Sequence, residues 1–232
     1  MSNKLRYQSI ASNQEIEDYF NPNFWHEVKD YLFYFLKIFV SVGLMFIFLR
    51  SSVIDRVGIK GQSMFPNYNQ AGNQEQDEIF IDKISPKFSN YKRGQVIVLI
   101  PPQKCLHGDE TLYIKRIIGL PGEQVRFKDG KVFIINERYP YPGIELDETE
   151  YLSNSVMTYK ATFTPDQKEE ITPVIPDNEY FFMGDNRPGS QDGRICGNIN
   201  KTLILGEELY RITPNEKRAF FKLPIYNIGR ED

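Results

Sequence analysis

One long apolar segment constrains this chain more than any other feature of its sequence. Residues Tyr31 to Leu49 read YLFYFLKIFVSVGLMFIFL and contain a single charged residue, Lys37. A helix needs about 20 such residues to cross a bilayer core, and a lysine near the edge of the span extends its ammonium to the interface. The segment starts too late and is too long for the apolar region of a cleaved signal peptide. We predict a retained transmembrane helix in a lipid bilayer over 31–49, preceded by a loose polar tail over 1–30.

The charges that flank the predicted helix bear on its orientation. Lys29 precedes the helix, whereas Arg50, Arg56 and Lys60 follow it. Because cytoplasmic flanks carry an excess of Lys and Arg, this count weakly favours a cytoplasmic position for the C-terminal part of the chain.

From residue 51 onward the pattern is typical of a mainly β domain. Short runs of β-branched and aromatic residues alternate with turn signals, and no long segment keeps a helical period. The pair Asp129-Gly130 between two such runs is a strong hairpin signal. The predicted strands are Glu78–Ile81, Gln95–Ile100, Leu112–Ile118, Gln124–Phe127, Lys131–Ile135 and Tyr180–Met183. We therefore predict a coiled or closed β-sheet over 51–232. We interpret the acidic, Pro-rich stretch at about 139–177 as an inserted cap or loop without chemistry of its own.

Composition excludes several classes of function. The net charge is −3, so no basic surplus indicates a nucleic-acid partner. No phosphate loop, dinucleotide fingerprint or metal-ligand set is present, and we expect no cofactor and no metal. The two cysteines, Cys105 and Cys196, favour buried or free thiols, with one long-range disulfide as the alternative if the domain is extracytoplasmic. Only His26 and His107 are available as a histidine base.

Two segments carry a candidate nucleophile and a candidate base. The loop GQSMFP places Ser63 between a glycine and a proline, where a serine is usually only a turn residue. In the strand that follows, alternation puts Tyr113, Lys115 and Ile117 on one face. A strand lysine often extends its charge to solvent. Held among apolar neighbours instead, Lys115 would have a lowered pKa, and its neutral amine would accept a proton near neutral pH.

A third segment, the loop MGDNRPGSQDGR over 183–194, contains two Asp/Arg pairs. Such a loop is either an ordinary surface turn or a brace for a site, because Asp–Arg pairs form bidentate, oriented contacts.

The three segments, in this order, resemble the type I signal peptidases, which are serine proteases with a Ser–Lys dyad. The resemblance rests on Ser-Met-x-Pro after an anchor, on Tyr-Ile-Lys-Arg running into Gly-Leu-Pro-Gly, and on Gly-Asp-Asn-Arg followed by Ser and Asp-x-Arg. It covers most of residues 30–210. It implies the coiled β-sheet of that family and a membrane-anchored endopeptidase. Such an enzyme cleaves signal peptides from translocated preproteins after small residues, at an A-x-A-like site.

The resemblance also implies a role for each matching residue. Ser63 attacks the scissile carbonyl to form an acyl-enzyme, and Lys115 is the general base. The backbone N–H of Ser63 is one oxyanion donor, and Ser190 orients the lysine amine. The residues that brace the site are Asp185, Arg187, Asp192 and Arg194. The residues that line pockets for small side chains are Ile59, Tyr113 and Ile114.

This chain departs from the family pattern in four places. Gly61 stands where one branch carries a second oxyanion hydroxyl, and Asn67-Tyr68 replaces Thr-Leu. Gly193 replaces a serine, and Cys196 occupies a position that is often aromatic. The changes at 67–68 bear on the shape of the pocket, and none of the four removes the dyad.

The family places its catalytic domain outside the cell membrane on a single-pass anchor, close to the translocon. This opposes the charge count, and we follow the resemblance because translocated substrates are met on the far side. Two alternatives stay open. The first is a relative that processes only a narrow set of precursors or acts in an organelle or thylakoid membrane, and the second is an inactive tethered β-domain that binds signal peptides or a partner without cutting.

Overall fold

The computed structural model describes residues 22–69, 76–105, 112–159, 169–213, 218–224 and 226. The chain divides into two compact units, Met1–Ser51 and Ser52–Asp232. His107 and the predicted tail over 1–21 lie outside the described residues, as do residues 160–168 of the predicted insertion.

The first unit contains a single described helix, α1, which runs Pro22–Val53. Proline is well suited to the first helical position, where its missing N–H removes no intrahelical bond. The helix is longer than the predicted span at both ends, and residues 22–30, predicted as loose tail, are helical. Its stretch Trp25–Phe48 has 24 residues, a mean hydropathy of 2.1 and no buried residue, so it is long and apolar enough to cross a bilayer. The Lys37 ammonium lies 4.3 Å from the ring centroid of Phe33, one turn earlier.

The second unit is mainly β, with a curled half-barrel sheet and a smaller second sheet. Its strands are β1 (Ile54–Gly58), β2 (Glu78–Asp82), β3 (Val96–Leu99), β4 (Tyr113–Gly119), β5 (Gln124–Lys128), β6 (Lys131–Ile135), β7 (Ile144–Glu145), β8 (Glu169–Ile171), β9 (Glu179–Met183), β10 (Ile199–Asn200), β11 (Ile204–Thr213) and β12 (Ala219–Phe220). The large sheet has the order β1-β2-β11-β3-β4-β9-β10, with β12 on β11, and the small sheet has the order β7-β6-β5-β8. Short helices α2 (Ser85–Phe88) and α3 (Gly193–Cys196) lie between strands.

All six predicted strands are present, each with both ends within one residue of the prediction. Asp129 and Gly130 have φ values of 51° and 77°, as a tight β5–β6 hairpin turn requires. The longest strand, β11, was not predicted. It joins β2 to β3, and its buried positions include Gly206 and Glu208, so the apolar alternation that identifies a strand is absent from its sequence.

Both faces of β3 are buried, and its successive residues enter different hydrophobic clusters. Ile97 and Leu99 join one cluster with Ile117 of β4. Val96 and Val98 join another with Met64 and Tyr68, which lie in the loop after β1. A third cluster packs the small sheet against β9. Burial of each such side chain contributes about 1.5–3 kcal/mol, so the loop that carries Ser63 is held to the sheet by its own apolar residues.

The two cysteines are joined as a disulfide, with Cα atoms 5.6 Å apart and a sequence separation of 91. Of the two alternatives left open by the sequence, the long-range bond is therefore the one present. It links the turn Gln103–Cys105 to α3, directly after the 183–194 loop.

Candidate active site

Ser63 and Lys115 meet although they come from different elements. Ser63 lies in the turn that follows β1, and Lys115 lies in the middle of β4. The Lys115 Nζ is 2.7 Å from the Ser63 Oγ. This distance lies within the range of about 2.6–3.2 Å that proton transfer to a general base requires.

The surroundings of Lys115 favour a neutral amine. The residue is 3% exposed, and burial lowers its pKa from 10.5 to about 8, against the opposing charges of Asp192 and Asp185. Its Nζ also donates to the Ile114 carbonyl at 2.9 Å. The Tyr113 ring centroid lies 4.8 Å from the Nζ, as the predicted shared face of β4 requires. Half of the Lys115 amines are therefore neutral at about pH 8, whereas a solvated lysine is half neutral only near pH 10.5.

The 183–194 loop clamps the backbone on either side of Ser63. The N–H of Asn186 donates to the Ser63 carbonyl at 3.0 Å, and its side-chain amide donates to the Gln62 carbonyl at 3.0 Å. Gly184 packs so closely that a Cβ there would overlap the Ser63 carbonyl and the Ser190 hydroxyl. The position of Ser63 is thus fixed both by the buried apolar residues of its own turn and by the 183–194 loop.

Asp185 is held by Arg116, the residue after Lys115. Two parallel hydrogen bonds join them, at 2.9 and 2.7 Å, and both side chains are buried. The Asn67 amide donates to the same carboxylate at 2.8 Å. Since Asn67 belongs to the Ser63 turn, the carboxylate connects the nucleophile loop to the strand of the base.

Of the two Asp/Arg pairs in the loop sequence, one is formed and the other is not. Asp192 accepts two hydrogen bonds from the Arg194 guanidinium, both at 2.8 Å, and one from the Gly184 N–H at 2.9 Å. Asp185 and Arg187, in contrast, do not pair with each other. Arg187 instead forms a bidentate pair with Glu148. The stretch interpreted as an inserted cap or loop therefore contributes the carboxylate that pairs with Arg187.

Ser190 lies at the site but does not make the predicted contact. It is 9% exposed, and its hydroxyl has no hydrogen-bond partner among the described residues. The predicted hydrogen bond from this hydroxyl to the Lys115 amine is therefore not formed in this structure.

A cleft of about 220 Å³ lies between the end of β1 and the strands β3 and β4. The residues that line it are Val57, Gly58, Ile59, Lys60, Val98, Leu112, Tyr113 and Ile114. All three predicted pocket residues, Ile59, Tyr113 and Ile114, are among them. Ile114 and Tyr113 directly precede Lys115 in β4, whereas Ser63 and Lys115 are not among the lining residues.

Two residues that depart from the family pattern, Tyr68 and Gly61, fit their surroundings in the structure. The Tyr68 hydroxyl donates to Glu208, and the Arg211 guanidinium lies 3.9 Å from the Tyr68 ring centroid. Glu208 is buried, and burial raises its pKa. Gly61 has a φ of 78°, a conformation that favours glycine over the hydroxyl residue carried by one branch of the family.

Sequence reasoning did not assign Arg116 and Glu148 to the site. Alternation along β4 puts Arg116 on the opposite face from Lys115. A buried strand arginine requires a carboxylate partner, and that requirement is the signal that could have assigned it to the site. Glu148 stands in an acidic run with three other carboxylates, and nothing in the run distinguishes it.

The known proteins that this chain is similar to are signal peptidases. A family model described as signal peptidase, peptidase S26, matches residues 32–213. Signal peptidase I S of Bacillus subtilis is 29% identical over 185 residues, which cover 78% of this chain and 90% of the relative. Signal peptidase I V of the same organism is 30% identical and covers 75% of this chain and 94% of the relative. A probable signal peptidase I-2 of Synechocystis sp. is 30% identical, with coverage of 77% and 72%. A solved signal peptidase I from Enterococcus faecalis matches 51% of this chain and 97% of its own at 25% identity, with a TM-score of 0.38.

Proposed function

The chain belongs to the signal peptidase family, peptidase S26, and we propose that it cleaves preproteins after small residues with Ser63 as nucleophile and Lys115 as general base. With its N-terminal apolar helix, it is a membrane signal peptidase of the serine endopeptidase type. The observation that carries the dyad is the 2.7 Å contact between a buried amine and a serine hydroxyl.

The reaction is acyl transfer in two halves. The neutral Lys115 amine accepts the Ser63 proton while the Ser63 Oγ attacks the scissile carbonyl carbon. The resulting ammonium donates this proton to the leaving amine as the C–N bond breaks, which leaves an acyl-enzyme ester on Ser63. In the second half Lys115 accepts a proton from water, the hydroxide attacks the ester, and the proton returns to Ser63.

The site is arranged to accommodate both forms of Lys115. Burial disfavours the ammonium in the resting enzyme, whereas the charges of Asp192 and Asp185 favour it once the proton arrives. The oxyanion of the tetrahedral intermediate is assigned to the Ser63 backbone N–H. One such donor typically contributes about 3–4 kcal/mol to the transition state.

The cleft supports apolar residues at the cleaved site. It is lined mainly by apolar side chains, and two of its residues, Tyr113 and Ile114, directly precede the proposed base in β4. We infer that Ile59, Tyr113 and Ile114 form the walls that contact the residues of the A-x-A-like site.

The disulfide supports an extracytoplasmic position for the catalytic domain. Disulfides persist in oxidising compartments and are rare in the cytosol, and this chain joins both of its cysteines. This observation opposes the weak count of flanking charges. We propose a single-pass anchor in the cell membrane, with the domain on the far side near the translocon that delivers its substrates. Protease added to right-side-out vesicles should digest 52–232, and a protected domain would reverse this orientation.

Point variants of the dyad test the mechanism in the full-length chain in detergent or liposomes. Ser63→Ala and Lys115→Ala are expected to abolish cleavage of a preprotein with a melting temperature close to wild type. Ser89→Ala and Lys87→Ala, at exposed positions, serve as controls that retain cleavage. Cleavage at the wild-type rate by either dyad variant would refute the assignment.

A further inference from the structure

We propose that residues 148–159, which we call the strap, position the catalytic dyad, and that Glu148 is the central positioning residue. This inference rests on the proposed function, because positioning is defined here by its effect on the Ser63 reaction. The strap lies within the stretch that the sequence indicated to be a passive insertion.

The first contact of the strap is the ion pair between Glu148 and Arg187. The side chain of Arg187 is 1% exposed and that of Glu148 is 12% exposed. Arg187 also donates to the Thr158 hydroxyl at 2.6 Å, so both ends of the strap hold the same guanidinium. A charge buried to this extent needs its partner, since an uncompensated buried ion is strongly destabilising.

Arg187 also holds the backbone beside the nucleophile. Its Nε donates to the Gly184 carbonyl at 3.1 Å. Gly184 is the residue that packs without space for a Cβ against the Ser63 carbonyl and the Ser190 side chain. A shift of the guanidinium toward other acceptors would therefore move Gly184 and, with it, Ser63.

Tyr151 carries a second set of contacts to the same site. Its carbonyl accepts from the Asn67 amide at 2.7 Å, and its ring lies 4.1 Å from the Arg116 guanidinium. Its hydroxyl donates to Glu148 at 2.7 Å, which joins the two sets. Asn67 is in the nucleophile turn and Arg116 follows the base, so Tyr151 contacts both sides of the dyad.

The far end of the strap reaches the third arginine. Arg194 donates to the Tyr159 carbonyl at 3.1 Å and to the Arg187 carbonyl at 2.6 Å. The strap thus contacts Arg116, Arg187 and Arg194. In contrast, no residue of 148–159 lines the cleft described above. This division predicts an effect on the chemical step without an effect on substrate binding.

Glu148→Gln is the direct test, because it keeps the shape of the side chain and removes its charge. In the full-length chain we expect kcat for a preprotein substrate to fall about 10- to 100-fold, as for a small misplacement of reacting groups. KM is expected to stay within about twofold, because binding in the cleft is untouched. Acylation of Ser63 by a serine-reactive inhibitor should slow by the same factor.

The matched control is Glu137→Gln, which removes the same charge at an exposed position outside the strap and should match wild type. Thr158→Val is a milder variant that leaves the ion pair intact and should lower kcat severalfold, so the proposal stays testable if Glu148→Gln does not fold. Ser63→Ala is the inactive reference. If Ser63→Ala still cleaves, the proposed function fails. If Ser63→Ala is inactive while Glu148→Gln and Thr158→Val keep the wild-type kcat, or lose it only in proportion to a lower melting temperature, the strap is not a positioning element.

Discussion

Lys115 and Arg116 are consecutive residues of β4. Of these two, Arg116 has the carboxylate of a described residue within ion-pair distance, and Lys115 has none. Arg116 and Asp185 share two hydrogen bonds, whereas the Lys115 amine contacts the Ser63 hydroxyl and a backbone carbonyl. An arginine keeps its charge at any accessible pH and has to be paired when buried. An unpaired buried lysine gives up its proton instead, and the strand thereby places a fixed cation and a titratable base side by side.

The pH dependence of cleavage should follow Lys115. Its pKa is lowered to about 8, and only the neutral amine accepts the Ser63 proton. We expect kcat/KM to rise about tenfold per pH unit below pH 8 and to level off above it. Steady-state rates with a peptide substrate from pH 6 to 10 measure this, and a flat profile across that range would contradict a lysine base.

Asp192→Asn should move this profile to lower pH. The charge of Asp192 raises the pKa of Lys115 against the larger effect of burial, so its removal lowers that pKa further. The maximal rate should also fall, because Asp192 accepts the Gly184 N–H. The same pH series on Asp177→Asn, at an exposed position, should reproduce the wild-type midpoint. A midpoint that rises in Asp192→Asn would reverse the assigned electrostatics.

Lys115→Met should stabilise the protein while abolishing cleavage. The unfolded lysine titrates near 10.5 and the folded one near 8, so between these values the unfolded state binds more protons and stability rises with pH. Below pH 8 the folded state holds a buried ammonium, which methionine avoids. We expect the variant to gain about 1–3 kcal/mol at pH 7 and to lose this advantage as the pH rises from 8 to 10.5. Melting temperatures of the wild type and the variant in detergent, at pH 7 and at pH 10, measure this difference. A variant that is less stable than wild type at pH 7 would argue against a destabilising Lys115 ammonium.

The sequence was sufficient to predict residues whose neighbours are local. The six strands and the Asp129–Gly130 hairpin follow from patterns of a few residues, and Asp192 pairs with Arg194 only two positions away. Ser63 and Lys115 were identified because each stands in a recognisable motif.

Partners that depend on topology were not predictable in the same way. Arg116 finds Asp185 across 69 positions and Arg187 finds Glu148 across 39. The residues next to an acidic side chain in the sequence do not distinguish a carboxylate that pairs in the interior from one that faces solvent. Strand β11 was not predicted for a related reason, since one of its buried residues is Glu208, whose partner Tyr68 lies 140 positions away.

The disulfide should contribute substantially to stability. It closes a loop with a sequence separation of 91, for which loop-closure entropy predicts roughly 3–5 kcal/mol. We expect reductant to lower the melting temperature of the wild-type chain. A Cys105→Ala/Cys196→Ala variant should melt at the lower temperature with or without reductant, and a wild-type protein that does not respond to reductant would show that the bond is not formed in solution.

Gly184→Ala tests whether the close packing beside Ser63 is needed for catalysis. A Cβ at this position would overlap the Ser63 carbonyl and the Ser190 hydroxyl, and the first of these is backbone that cannot rotate away. The loop has to separate from the nucleophile turn, which would lengthen the contact between Ser63 and Lys115. We expect kcat to fall about 100-fold, as for a displacement on the order of 1 Å. Gly43→Ala in α1, where a Cβ meets nothing within 4 Å, is the control and should cleave normally. Normal cleavage by Gly184→Ala would mean that the 183–194 loop does not fix the nucleophile.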